Sequence, residues 1–513
     1  MRDRKTKRII LFASVLFSLV ACTGNVNNNT PLLWITQLES TSAGETQGDQ
    51  QSLHPQITPD GRYIVFASDA TNLLNISPTP PARQIYRKDL ITREIILVSV
   101  NTLGNYAEES SDFPSISDDG RYVVFESDAQ NLISGFVDNN ESNAFGFGPF
   151  PDVFLRDVVD KKTYLVSCEQ PIPPAAPTPY TGAGDGVLGL SGTGQPSSNP
   201  MISGDGKHIV FESKAKTLKL NSLQNDYWTG GGYSHVFLVD VQQRINNETS
   251  PAEPDVIDCK DKDQFVPGDE SSRNPYISQT GKFITFETVA SNLVDFLAPP
   301  SLNGEAEIYE EFDIILWEND PGIDLRFISG CFAFSTNQDP DPTDADCLNP
   351  SVSDNGTVVF ESASNELDNR TVASPPTSQI YLWRYTAPPG PTLTQYDEII
   401  SVGGLNVPGK GGDSTTAVIS QNGQYVSFLS QATNLSSLST GTYVQVFSRD
   451  RTGSTTTLVS IRTDGDSEAN SHQQTPYVID SGGVVFSSDA TNLVHGDDNF
   501  TTDIYFRYRD SKP

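Results

Sequence analysis

What most constrains this chain is one unit written seven times along its length. It reads "HPQITPDGRYIVFASDATNLL" from His54 and "FPSISDDGRYVVFESDAQNLI" from Phe113. Further copies start at Asn199, Asn274, Asn349, Thr416 and Thr475. The glycine of its turn recurs as Gly61, Gly120, Gly206, Gly281, Gly356, Gly423 and Gly482. A single copy is too short to enclose a core, so each must bury its apolar surface against its neighbours.

Within a copy the pattern gives four strands. Strand A is short, as in "PQIT", and an Asp-Gly type turn makes a hairpin with strand B, "RYIVFAS", which is β-branched and aromatic. Strand C is "QIYRKDL" in the first copy and "DIYFRYR" in the last, and strand D is of the type "EIILVSV". Seven A, B and C strands are present but only six D strands follow them. The opening "LLWITQLES" is the spare strand, so Leu32–Glu39 is expected to pair with Asp503–Arg509 and close a ring. The expected fold is all-β, a seven-bladed β-propeller over 32–513 whose N-terminal strand completes the last blade. Blades are expected near 54–100, 113–167, 199–258, 274–329, 349–402, 416–461 and 475–510 plus 32–39.

The "PDGRYIVFASD…QIYRKDL" unit resembles the TolB-like (WD-like) propeller repeats. The resemblance implies protein partners, and it bears on fold more than on activity. In this strand order the A–B and C–D turns share one rim and the B–C and D–A connections the other. The second rim collects the insertions, at 128–151, 214–233, 288–311 and 168–198. It is therefore the expected binding face, with Phe145, Phe147, Phe150, Tyr180, Tyr227, Trp228 and Tyr233 as its aromatic contacts.

The first residues carry a separate message. Arg2, Arg4, Lys5, Lys7 and Arg8 precede a mostly apolar run from Ile9 to Ala21, too short for a membrane span and suited to a secretory signal. The run ends Leu19-Val20-Ala21-Cys22, which resembles the lipobox of bacterial lipoproteins. That resemblance implies a signal over 1–21, a diacylglycerol on the Cys22 sulfur and acylation of the new amino group. Residues 22–31 are then a polar tether. Thr23 stands where an aspartate would signal inner-membrane retention, so an outer-membrane anchor is expected, facing the periplasm or the cell surface.

The whole chain has 33 basic and 65 acidic residues; without 1–21, 28 face 64, a net of −36. Such a surface repels nucleic acid and anionic headgroups, which leaves the lipid as the membrane contact. In an oxidising compartment Cys331 and Cys347 are expected to bridge one loop, and Cys168 and Cys259, at matching places in neighbouring copies, are a second candidate pair. Asp497, Asn499 and Asp503 put hard oxygens at spacings that suit Ca²⁺, the one cofactor the sequence suggests. His54, His472 and His495 fall on the long-loop rim without ligand spacing. Glu126, Glu212, Glu287 and Glu361 repeat after the strand-B phenylalanine, which points to a shared packing or hydrogen-bonding duty rather than catalysis.

No Gly-x-Ser-x-Gly elbow and no phosphate-cradling loop is found. The expectation is a monomeric, lipid-anchored binding or scaffolding protein of the envelope that takes a protein or glycan partner. The alternative is a propeller-scaffold enzyme acting on polysaccharide. A His/Asp cluster at the channel mouth would favour the enzyme, and an apolar or aromatic groove would favour binding.

Overall fold

The computed structural model describes residues 34–134, 150–168, 196–215, 218, 220–221, 226–227, 233–246, 254–261, 266–290, 293, 313–319, 325–328, 346–363, 377–384 and 398–509. They form seven four-stranded antiparallel sheets, each in the order A-B-C-D. Blade 1 is Ser52–Ile57, Tyr63–Ser68, Gln84–Asp89 and Ile95–Leu97. Strand B of each blade packs on strand A of the next, and strand B of blade 7, Val484–Ser488, packs on Ser52–Ile57 of blade 1, which completes the ring. The hairpin glycines have φ between 69° and 81°, the left-handed region that a tight A–B turn requires.

The apolar repeat positions fill the spaces between blades. One cluster joins Val65, Ala67 and Ile85 of blade 1 to Ile116, Val123 and Phe125 of blade 2, and equivalent clusters recur around the ring. Within a blade, the strand-B phenylalanine stacks on an aromatic of strand C: Phe66 on Tyr86, Phe125 on Phe154, Phe211 on Phe237 and Phe486 on Tyr505, with centroids 5.5–6.0 Å apart. Strand alternation carries the neighbouring residues to the opposite interface, so both faces of every sheet are apolar.

Closure is as the strand count requires. Trp34–Leu38 is strand D of blade 7, with Trp34 opposite Arg509 and Leu38 opposite Tyr505. The lock beyond it copies the other blades. In blade 1 the Ser99 hydroxyl donates to Gln84 Oε1 at 2.8 Å and accepts the Ile85 N–H at 3.0 Å. In blade 7 Ser40 donates to Asp503 Oδ1 at 2.5 Å and accepts the Ile504 N–H at 3.1 Å. Buried Lys88 of blade 1 then ties down the incoming chain, with Nζ 3.0 Å from Glu39 Oε2 and 2.6 Å from Thr41 Oγ1.

Among the described residues, additions that the repeat pattern does not foreshadow are one short α-helix, Val241–Asn246, one 3-10 turn, Gly404–Asn406, and two ribbons, Leu220–Asn221 with Asp226–Tyr227 and Cys259–Asp261 with Val266–Pro267.

Candidate functional site

The innermost strands carry the most unusual backbone. Every strand A breaks register with strand B around its third residue. That residue is His54, Phe113, Asn199, Asn274, Asn349, Thr416 or Thr475, each with φ between 42° and 51°. Proline follows in six of the seven, and Ala417 in the other. A positive φ at seven non-glycine residues is costly, and a β-bulge is the device that permits it. The bulges turn these side chains toward the axis, where they and their successors line a cavity of about 340 Å3. The cavity lies toward the start of strand A, so it opens at the rim of the B–C and D–A connections.

Buried carboxylates hold this ring in place. Each of four glutamates on strand B accepts the main-chain N–H of the bulged residue of the next blade. The pairs are Glu126 with Asn199 (3.1 Å), Glu212 with Asn274 (2.7 Å), Glu287 with Asn349 (2.7 Å) and Glu361 with Thr416 (2.5 Å). The asparagine side chains add a second donor within the blade, Asn199 to Glu212 at 3.1 Å and Asn274 to Glu287 at 2.9 Å. The shared hydrogen-bonding duty expected of the repeated acids is thus what the geometry gives. Glu126 is the exception, because Phe113 stands where its blade's asparagine would be. Burial pushes its carboxyl up to about 8, assisted by Asp112, Asp128 and Glu212, while the Asn199 N–H opposes. Burial also raises Glu212 and Glu361, against their hydrogen bonds.

Beside Glu126 lies the chemically richest corner. The His54 ring stacks on Phe113 with centroids 4.1 Å apart and 18° between planes. His54 Nδ1 is 2.6 Å from Asp112 Oδ1, Arg83 donates to Asp112 Oδ2 at 2.5 Å, and Arg83 also pairs with Asp69 at 3.1 Å. Burial would raise Asp112, but the His54 hydrogen bond and the Arg83 charge outweigh it and hold it below the usual carboxylate range. Phe113 remains 40% exposed, which leaves an aromatic surface available to a ligand.

At the other end of the channel, by the A–B turns, Asp118 is pushed up to about 6 by burial and then by the charge of Asp354. Tyr276 and Tyr477 stand between the two ends, and Gln279 Nε2 donates to the Tyr477 hydroxyl at 3.1 Å.

The residues expected from sequence distribute unevenly. Cys22, Phe145, Phe147, Tyr180, Trp228 and Cys331 lie outside the described residues. Phe150 and Tyr233 are half-buried where their chains enter strand C of blades 2 and 3, and Tyr227 is in the ribbon Asp226–Tyr227. Cys347 heads strand A of blade 5, buried and disulfide-bonded. The expected Cys168–Cys259 bridge is not made, since both remain thiols. They occupy the same place on adjacent blades, and Cys168 is engaged locally, donating to the Leu165 carbonyl at 2.9 Å with Arg244 Nη2 3.2 Å from its sulfur.

The residues expected to take Ca²⁺ are engaged with protein donors. Asp497 and Asp503 both accept from Gln47 Nε2, at 2.8 and 2.7 Å, and the Tyr505 hydroxyl donates to Asp497. Asn499 donates to the Gly48 carbonyl at 2.8 Å and accepts the Thr501 N–H at 3.0 Å. The three residues fasten the closing segment, with their oxygens already committed to protein donors. Among the described residues no group of three or more His, Cys, Asp and Glu could hold a metal ion. His472 accepts the Val444 N–H at 3.1 Å, and His495 is exposed.

No protein-family model matches the chain, and no curated protein matches it. Solved structures do resemble it. An oligogalacturonate lyase from Vibrio parahaemolyticus is 14% identical, with 93% of this chain and 96% of that one covered and a TM-score of 0.45. An oligogalacturonate lyase in complex with manganese is 11% identical, covers 94% and 97%, and gives 0.46. TolB from Acinetobacter baumannii is 13% identical, covers 69% and 60%, and gives 0.30. These likenesses concern the fold.

Proposed function

We propose that this TolB-like β-propeller is a binding or scaffolding protein of the bacterial cell envelope, held by lipid on Cys22, that takes a protein or glycan partner at its channel mouth. The observation that carries the reading is the bulged ring. Seven backbone distortions, four of them held by buried glutamates, display His54, Phe113 and the three asparagines around an open cavity. A ring held this firmly is preorganised, and a rigid aromatic platform flanked by amide donors and acceptors suits recognition of a polar chain. The test is capture from detergent-solubilised membranes with the lipidated protein, followed by mass spectrometry. Wild type should retain a partner that Phe113→Ala and His54→Ala variants lose while keeping their melting temperatures. Equal capture by both variants would move binding away from the mouth.

A second reading, an enzyme acting on polysaccharide, is favoured by the corner that holds His54, Asp112 and a Glu126 carboxyl pushed up to about 8. A proton-holding acid opposite an aspartate that itself engages an imidazole is an arrangement acid–base chemistry can use. Cleavage of a polyuronide or other envelope glycan that disappears in Glu126→Gln would establish it.

A further inference from the structure

We infer that the protein stands on its anchoring membrane with the rim of A–B and C–D turns facing the lipid, so that the channel mouth opens toward the aqueous side and receives a partner that is not embedded in the same leaflet. The inference rests on the lipid at Cys22 and on the channel mouth as binding site, both proposed above.

The argument starts from the direction of one strand. Strand C of blade 7 runs from Asp503, at the loop rim, to Arg509, at the turn rim. Trp34 is opposite Arg509 and Leu38 opposite Tyr505, so the chain enters the propeller at the turn rim and climbs toward the mouth. The point of entrance is fixed. The Arg509 and Arg507 guanidinium groups lie 4.7 and 5.6 Å from the Trp34 ring centre, and Arg507 Nη1 donates to Thr36 Oγ1 at 2.6 Å.

Reach then decides the polarity. Twelve positions separate Cys22 from Trp34. A flexible chain of that length spans on average roughly 20 Å. The strands alone, at six residues, rise about 20 Å, and the turns and loops add to the thickness of the ring. Bringing the mouth to the bilayer would demand a nearly fully extended tether, about 40 Å, wrapped around the outside of blade 7.

The experiment uses the full lipidated protein in vesicles of phosphatidylethanolamine and phosphatidylglycerol carrying a headgroup acceptor dye. A donor dye is placed by Asp160→Cys at the turn rim of blade 2 or by Leu103→Cys at the loop rim of blade 1, both exposed positions at 59% and 86%. Quenching about twofold stronger at position 160 is the result expected from the short tether. A flexible insertion of some twenty residues after Thr30 should abolish the difference, because the reach then exceeds the ring. Equal or inverted quenching with intact vesicle association would overturn the orientation alone. Failure of the lipidated protein to associate with vesicles would overturn the anchor and the orientation together.

Discussion

Lys88 offers the sharpest test of how the ring is closed. It is 1% exposed and belongs to blade 1, yet its ammonium binds only the incoming chain: Glu39 Oε2 at 3.0 Å, the Glu39 carbonyl at 3.0 Å and Thr41 Oγ1 at 2.6 Å. Lys88→Met keeps the aliphatic stem and removes the charge, leaving Glu39, fully buried, with Arg93 alone at 3.2 Å. Breaking a buried pair by deleting one partner costs ~3–5 kcal/mol. The surviving Arg93 places this case at the lower end, about 3 kcal/mol, or roughly a hundredfold in the opening equilibrium. The loss should be local, because among the described strands only strand D of blade 7 has a covalent connection to its sheet that runs through the whole ring. Amide hydrogen exchange read by mass spectrometry should therefore speed up by about two orders of magnitude over Trp34–Leu38 and Tyr505–Arg509, with blades 3 to 5 unchanged. A Lys88→Met/Glu39→Leu double variant should recover most of the protection, since an apolar pair leaves no buried charge orphaned and the part-exposed Arg93 keeps Glu45 at 3.6 Å. Unchanged exchange at the seam in the single variant, or an equal rise in every blade, would refute the reasoning.

Further outcomes follow from the same geometry. Glu126 binds a proton in the fold at pH values where the unfolded chain has released it, so its contribution to stability is complete below the ordinary glutamate range and is lost as pH rises through about 8. Glu126→Gln should flatten the melting temperature across that window and raise it at pH 9. Gly120→Ala should cost about 2 kcal/mol or more, because φ is +71° and an added Cβ would fall 2.4 Å from the Tyr63 ring; thermal melting reads it. Chelator or added Ca²⁺ should leave the melting curve unchanged, as the oxygens of Asp497 and Asp503 are taken by Gln47, Ser40 and Tyr505. Cys22→Ala should release the protein from membranes washed in high salt, as fractionation and immunoblotting would show.

The sequence carries the repeat, the hairpin and the missing strand because each is a local pattern copied seven times. It carries strand D less well. "EIILVSV" reads as seven residues, but the regular strand is Ile95–Leu97. Beyond it the Ser99 side chain, instead of a main-chain carbonyl, accepts the Ile85 N–H, and the ladder ends while the chain stays packed. The channel mouth is spelled out as a residue-proline pair seven positions before six of the seven turn glycines, with Thr416-Ala417 before Gly423, yet nothing local says that the first member adopts positive φ. The Asp497 and Asp503 oxygens look like ion ligands for a similar reason. Their donor, Gln47, stands some 450 residues away, and only closure brings it to them. Cys168 and Cys259 mislead through the repeat itself, because identical places on neighbouring blades are separated by a whole sheet.

With the lipid anchor proposed at Cys22, the strand that closes the ring is also the one on which a pull from the membrane would act. Such a force is applied at Trp34, at one end of the strand and along its length, so the register pairs from Trp34–Arg509 to Leu38–Tyr505 carry the load in shear instead of peeling apart one by one. Ser40 on Asp503, Gln47 on both carboxylates and Lys88 on Glu39 then act as a stop at the far end. A partner drawn away from the bilayer would tighten this seam against its stop, giving the molecule the mechanical character of a tension-bearing link between a lipid surface and whatever occupies its mouth.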